Sequence, residues 1–195
     1  NALAKQPTDN EINRMSQSEI TIQGTVLTDE RLEAEQRLGI SQNKTANDFL
    51  NAALVANPDK VFVADHNTTL SQHRTLSFRQ LDRFSRRIAA GLVKIGIERG
   101  DVVALQLPNW WEFIAIHMAC VRIGAITNPL QPIFRERELS FMLSFAETKV
   151  IFVPQQFRDF QYLPMIDGLS DELPDLKHVF SVCGDGERSF EANFM

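Results

Sequence analysis

The sequence predicts an α/β protein, an open, mostly parallel, doubly wound sheet with flanking helices, preceded by a polar arm and short helices. Three observations carry that prediction. Short apolar runs alternate with segments of helical periodicity at least three times. The run Val102 to Leu107 is apolar throughout except for Gln106, the pattern of a parallel strand buried on both faces. Leu81, Phe84, Ile88, Leu92 and Ile95 recur at helical spacing and Gly96 closes them, as a crossover helix requires.

In chain order, residues 1–28 are polar and aperiodic and read as a flexible arm. Asp29 to Leu38 favours a short charged helix stopped by Gly39, and Thr45 to Ala56 a second one stopped by Asn57-Pro58. Val61 to Ala64 and Thr75 to Phe78 read as partner strands, with His66-Asn67 opening the loop between them. Past the Val102 run, Phe113, Ile116, His117 and Cys120 share a helix face that ends near Gly124. Ala125 to Thr127 starts a strand, and Leu139, Met142, Leu143 and Ala146 mark a third amphipathic helix. Val150 to Val153 is a strand, Phe157 to Leu169 a weaker helix broken by Pro164, and Val179 to Val182 a last strand. Residues 29–195 are thus expected to be one α/β unit.

Composition narrows the function classes. The chain has 195 residues, 44% hydrophobic, enough for one substantial core. A net charge of -5 with no basic run gives nucleic acid no purchase. Cys120 and Cys183 lie far apart and fit no metal or redox spacing, so both read as small hydrophobes in a reducing compartment. The polar start is no signal peptide, and no apolar run is long enough to span a bilayer. The expected location is the cytoplasm. The start at Asn1-Ala2 and the abrupt end at Phe194-Met195 lead to the expectation of a piece of a longer protein.

The sequence holds no G-x-G-x-x-G, Walker, G-x-S-x-G or H-E-x-x-H motif, and no metal set is expected. Gly184-Asp185-Gly186 reads as a turn. His117 reads as a core histidine. Trp110-Trp111 reads as a plug over the core, with a cofactor contact as the alternative because ligands of open α/β sheets bind at the carboxyl edge. Arg135, Arg137 and Glu138 open the third helix as a solvated first turn. Arg158 follows the strand Val150 to Val153 at the carboxyl edge, either as a surface arginine or as one that grips a phosphate.

Four ordered segments go further. Leu76-Ser77-Phe78-Arg79-Gln80-Leu81 has the form L-[TS]-[YF]-x-x-L. Gly96 to Phe113 has the form G-I-x-x-G-D-x-V-A-x-x-L-P-N-x-x-E-F. Ala119 through Gly124-Ala125 to Pro129-Leu130 has the form A-x-x-x-x-G-A-x-x-x-P-L. With Pro132 to Leu139, this set resembles the amino-terminal region of adenylate-forming acyl-CoA synthetases, the medium-chain and alicyclic acid ligases in particular.

The resemblance implies a two-step ligase. A carboxylic acid and ATP, with Mg2+ shielding the phosphates, would form an acyl-adenylate and pyrophosphate, and coenzyme A would then displace AMP. It also implies that Arg158, and secondarily Arg135, contacts the coenzyme A phosphate. The family's Ser/Thr/Gly-rich loop ending P-K-G, its Y-G-x-T-E and T-G-D segments and its late lysine do not occur in the 195 residues. The chain alone is therefore expected to have no catalytic residues and no adenylation activity. Two alternatives remain: a ligase that loads its acyl-adenylate onto a carrier protein, and a non-catalytic α/β binding module. Apolar surface left by an incomplete core leads to the expectation that the chain self-associates.

Overall fold

The computed structural model describes residues 28–40 and 44–195; the expected arm otherwise lies outside the described residues. Residues 1–43 and 44–195 form two units. In the first, helix α1 (Asp29–Arg37) starts at Thr28, whose hydroxyl accepts from the Arg31 amide. Its first turn is acidic and its last basic, as the helix dipole favours, and it buries no residue.

In the second unit, helix α2 (Ala46–Ala56) begins where the Asp48 carboxylate accepts from the Thr45 amide, and it ends before Pro58. Strands β1 (Val61–Asn67) and β2 (Gln72–Ser77) then pair antiparallel. They are longer than the sequence reading gave. His66 and Asn67 belong to β1, and His66 pairs with His73 across the ladder. Helix α3 (Phe78–Lys94) is capped by Ser77 and Gln80, and it turns Leu81, Ile88 and Leu92 inward.

Strand β3 (Val102–Leu105), helix α4 (Trp111–Ile123) and strand β4 (Ile126–Pro129) follow. Gly124 closes α4 at φ 73°, a left-handed conformation in which glycine carries no side-chain clash. Next come helix α5 (Glu136–Phe145), strand β5 (Val150–Pro154) and a minimal hairpin of β6 (Gln156–Phe157) and β7 (Phe160–Gln161). Helix α6 (Tyr162–Asp167), strand β8 (His178–Val182) and helix α7 (Phe190–Phe194) complete the unit.

The segment after β5 corrects the expected helix from Phe157. Residues 156–161 form a hairpin instead, with Arg158 and Asp159 both at positive φ in its turn, the backbone that a two-residue turn of this hand demands. Pro164 does not break a helix. It sits in the first turn of α6, where its missing N–H has no partner to lose.

The main sheet runs β4-β3-β5-β8, all parallel. Alternate residues supply its two faces. Val103, Leu105, Val150, Phe152, Phe180 and Val182 join a core with α3, α4 and α7. Ala104, Ile151 and Val153 join the other, with Leu139 and Leu143 of α5 and Met165 and Ile166 of α6. This is the doubly wound arrangement expected from the uninterrupted apolar runs.

Between α3 and α4, the Arg122 guanidinium ion-pairs with Asp82 and donates to Ser85 Oγ at 3.1 Å. Cys120 is fully buried, and burial pushes its thiol up to about 12, as a small hydrophobe requires. Phe141 and Phe145 stack at 5.7 Å on the outer face of α5 and are largely exposed.

Candidate functional site

Strand order fixes where a site forms. β3 and β5 are neighbours, but the chain leaves β3 toward α4 on one face and leaves β5 toward α6 on the other. Their carboxyl ends therefore part, and a crevice opens at this switch point. A cavity of about 430 Å³ occupies it. Pro108 and Asn109 after β3 form one wall, and Pro132, Ile133 and Arg135 after β4 another. Phe157, Arg158 and Tyr162 after β5 close the third side.

The crevice thus brings together both arginines read from the sequence. Arg135 is half-buried and held. Its Nη1 donates to the Pro132 and Phe134 carbonyls, both at 2.8 Å, and its guanidinium stacks 4.0 Å above the Phe160 ring. Glu138 accepts from the Arg135 amide at 3.1 Å and starts α5. Arg158 is exposed on the hairpin turn, 5.3 Å over the Phe157 ring. Among the described residues its guanidinium makes no hydrogen bond or ion pair. One arginine is spent on shaping the wall and the other is free to meet a ligand.

Electrostatics agree with that division. Among the described residues no acidic side chain lines the crevice, so the two guanidiniums set its sign. Burial pushes the Tyr162 phenol up, while the positive charges of Arg135 and Arg158 pull it back. The Tyr162 hydroxyl donates to the Pro132 carbonyl at 2.8 Å. An apolar-walled cavity with a free, planar cation suits a phosphate or carboxylate, to which arginine donates two parallel hydrogen bonds. Among the described residues that line it, Tyr162 carries the one hydroxyl, and that hydroxyl is committed to the Pro132 carbonyl.

Gln106 matters to this geometry, and the sequence reading saw it only as the break in an apolar run. It is fully buried, and its Nε2 donates to the carbonyls of Gln131 (3.2 Å) and Phe134 (3.0 Å). It ties the end of β3 to the loop that carries Arg135. Its polarity inside an otherwise apolar run was the available signal.

The other sequence candidates are structural. Trp110 and Trp111 are buried, Trp110 edge-on to Phe157 and Trp111 against Phe84 and Phe190. His117 is half-buried with Nδ1 3.1 Å from the Thr127 hydroxyl. Arg137 and Glu138 lie exposed in the first turn of α5.

Comparison with known proteins places the chain in a family. The chain is 31% identical over 169 residues to a medium-chain fatty-acid–CoA ligase of Escherichia coli, covering 87% of this chain and 28% of that protein. It is 31% identical over 159 residues to a 2,3-dihydroxybenzoate-AMP ligase of Bacillus subtilis, covering 82% of this chain and 28% of that protein. The apo structure of Mycobacterium smegmatis MbtA superposes with a TM-score of 0.73 at 28% identity, over 87% of this chain and 30% of that one. The chain thus spans under a third of the length of the relatives it matches. The family described as AMP-binding enzyme matches residues 50–193, and the chain belongs to it.

Proposed function

We propose that the chain is the amino-terminal α/β part of an ATP-dependent carboxylic acid–CoA ligase, one that takes a medium-chain or alicyclic acid. The observation that carries this reading is the crevice at the carboxyl edge, where Arg158 offers an uncommitted guanidinium. Its donors fit the 3'-phosphate of coenzyme A, and Arg135, already bonded to two carbonyls, holds the wall and adds charge. The similarity to the Escherichia coli medium-chain ligase supports the choice of acid.

ATP and Mg2+ would be held elsewhere. The 195 residues contain neither a phosphate-cradling loop ending P-K-G nor a lysine-bearing late domain. Adenylation needs such groups to stabilise charge developing at the α-phosphate. The chain alone is accordingly inactive in this reading. No helix of the described residues is long and apolar enough to cross a membrane. Exposed Phe141 and Phe145 support self-association of the isolated chain, which sedimentation at rising concentration would reveal as a growing dimer.

A second reading follows from the similarity to the dihydroxybenzoate-AMP ligase. Here the acyl-adenylate would pass to a carrier protein. The deciding experiment follows acid-dependent ATP–pyrophosphate exchange by the complete protein, then offers coenzyme A as acceptor. Exchange with acyl-CoA formation supports the CoA ligase. Exchange with no CoA dependence supports carrier loading, and no exchange with any acid refutes both.

A further inference from the structure

A second cavity, of about 410 Å³, lies between β1, β2, the start of α4 and the segment after β8. Four side chains from three distant parts of the sequence meet there: Asp65, Glu112, Cys183 and Glu191. Ligand atoms of Glu112, Cys183 and Glu191 all lie within 4.8 Å of one another. Glu112 is only 4% exposed, and its Oε2 has no hydrogen-bond partner. Asp65 is 9% exposed, and its Oδ1 likewise has none. Two buried carboxylate oxygens without partners, facing one cavity, are costly unless a donor or a cation meets them.

The surroundings hold the cluster in place. Cys183 sits at φ 59°, its amide donates to Glu191 Oε1 at 3.1 Å, and Asn67 Nδ2 lies 3.4 Å from its sulfur. The nearby cation, Arg74, lies 4.7 Å over the Trp111 ring.

We propose that Glu112, Cys183 and Glu191 form a binding site for a borderline-soft divalent cation, with Zn2+ the fitting probe and Asp65 adding negative charge behind them. One thiolate and two carboxylates form a three-ligand set that leaves a fourth tetrahedral position to water. Separations of up to 4.8 Å close to bonding range by small side-chain rotations, exposed Glu191 having one carboxylate oxygen beyond the one that accepts from the Cys183 amide. The sulfur selects against Mg2+, which prefers oxygen ligands, so this is not the metal of nucleotide chemistry. Binding replaces the thiol proton, which leaves to solvent.

The test is a titration of metal-free chain with Co2+, a coloured stand-in for Zn2+. The expected result is a sulfur-to-cobalt charge-transfer band that saturates at one equivalent. Excess Zn2+ should abolish it, and excess Mg2+ should not. Cys183→Ser should remove the band, and Glu191→Gln, at an exposed position that folding tolerates, should weaken binding by about tenfold or more. A double His66→Ala, His73→Ala variant controls for the stacked imidazole pair, whose rings lie 3.9 Å apart, and should bind as the parent does. No band in the parent, or a band that survives both Cys183→Ser and Glu191→Gln, would overturn the proposal. Binding lost only with the histidine pair would overturn it as well.

Discussion

Gln106 and Phe134 are joined by a hydrogen bond of 3.0 Å from a buried side-chain amide to a backbone carbonyl, and this bond ties the end of β3 to the loop that carries Arg135. Gln106→Leu keeps the volume but removes both donated bonds to the 131–134 loop. Both carbonyls keep another donor, the Phe134 amide for Gln131 and Arg135 Nη1 for Phe134, so the substitution costs only the two bonds, about 0.5–1.5 kcal/mol each. At about 2–4 °C per kcal/mol for a chain of this size, thermal unfolding should show Tm lower by about 2–12 °C. An unchanged Tm would mean that the loop does not depend on Gln106.

Gly91 in α3 packs against Phe194 of α7 so closely that a methyl group at position 91 would lie 2.5 Å from Phe194 Cδ1. Overpacking costs about 1–3 kcal/mol, which outweighs the gain of about 1 kcal/mol from replacing a helical glycine by alanine. Gly91→Ala should therefore destabilise the chain. In a Phe194→Leu background the clash goes and the helix gain remains, so the same substitution should stabilise it. Urea unfolding of the four proteins checks for this change of sign.

Glu112 gives a pH dependence in metal-free protein. Its carboxyl is raised from 4.5 to about 7, first by burial and then by Asp65 and Glu191. Between these values the native state keeps a proton that the unfolded chain has released. Stability therefore falls as pH rises through this window, and the full cost is present above about pH 7. That cost is about 3 kcal/mol. Urea unfolding with chelator should show Glu112→Gln to be more stable than the parent at pH 7.5, with the advantage gone by pH 4. An equal difference at both values would rule out this titration.

Much of the fold was legible because local pattern and global role coincide. Val102 to Leu107 and Val150 to Val153 read as buried parallel strands because nothing polar interrupts them except Gln106. α3 read clearly because Leu81, Ile88 and Leu92 repeat at helical spacing and Gly96 ends the run. The hairpin at 156–161 was not legible. Its turn residues, Arg158 and Asp159, adopt positive φ without the glycine or asparagine that announces such a turn. Arg158 was read at the carboxyl edge and Arg135 as part of a solvated first turn; that Arg135 is bonded to two carbonyls while Arg158 is not depends on which carbonyls folding brings within reach. The Glu112–Cys183–Glu191 cluster has no spacing signature, because folding alone brings α4 to the segment after β8.

The most direct test of the central claim compares coenzyme A with its 3'-dephospho form as acceptors for the complete ligase, in the parent and in Arg158→Ala. Arg158 is exposed and makes no hydrogen bond or ion pair among the described residues, so its removal should leave Tm unchanged. Losing one charge-assisted contact of about 1.5–3 kcal/mol should raise the KM for coenzyme A about ten- to hundredfold. The KM for the dephospho form should not move, and kcat should hold for both. Equal KM changes for the two acceptors, or no change for coenzyme A, would contradict the assignment of the crevice to the coenzyme A phosphate.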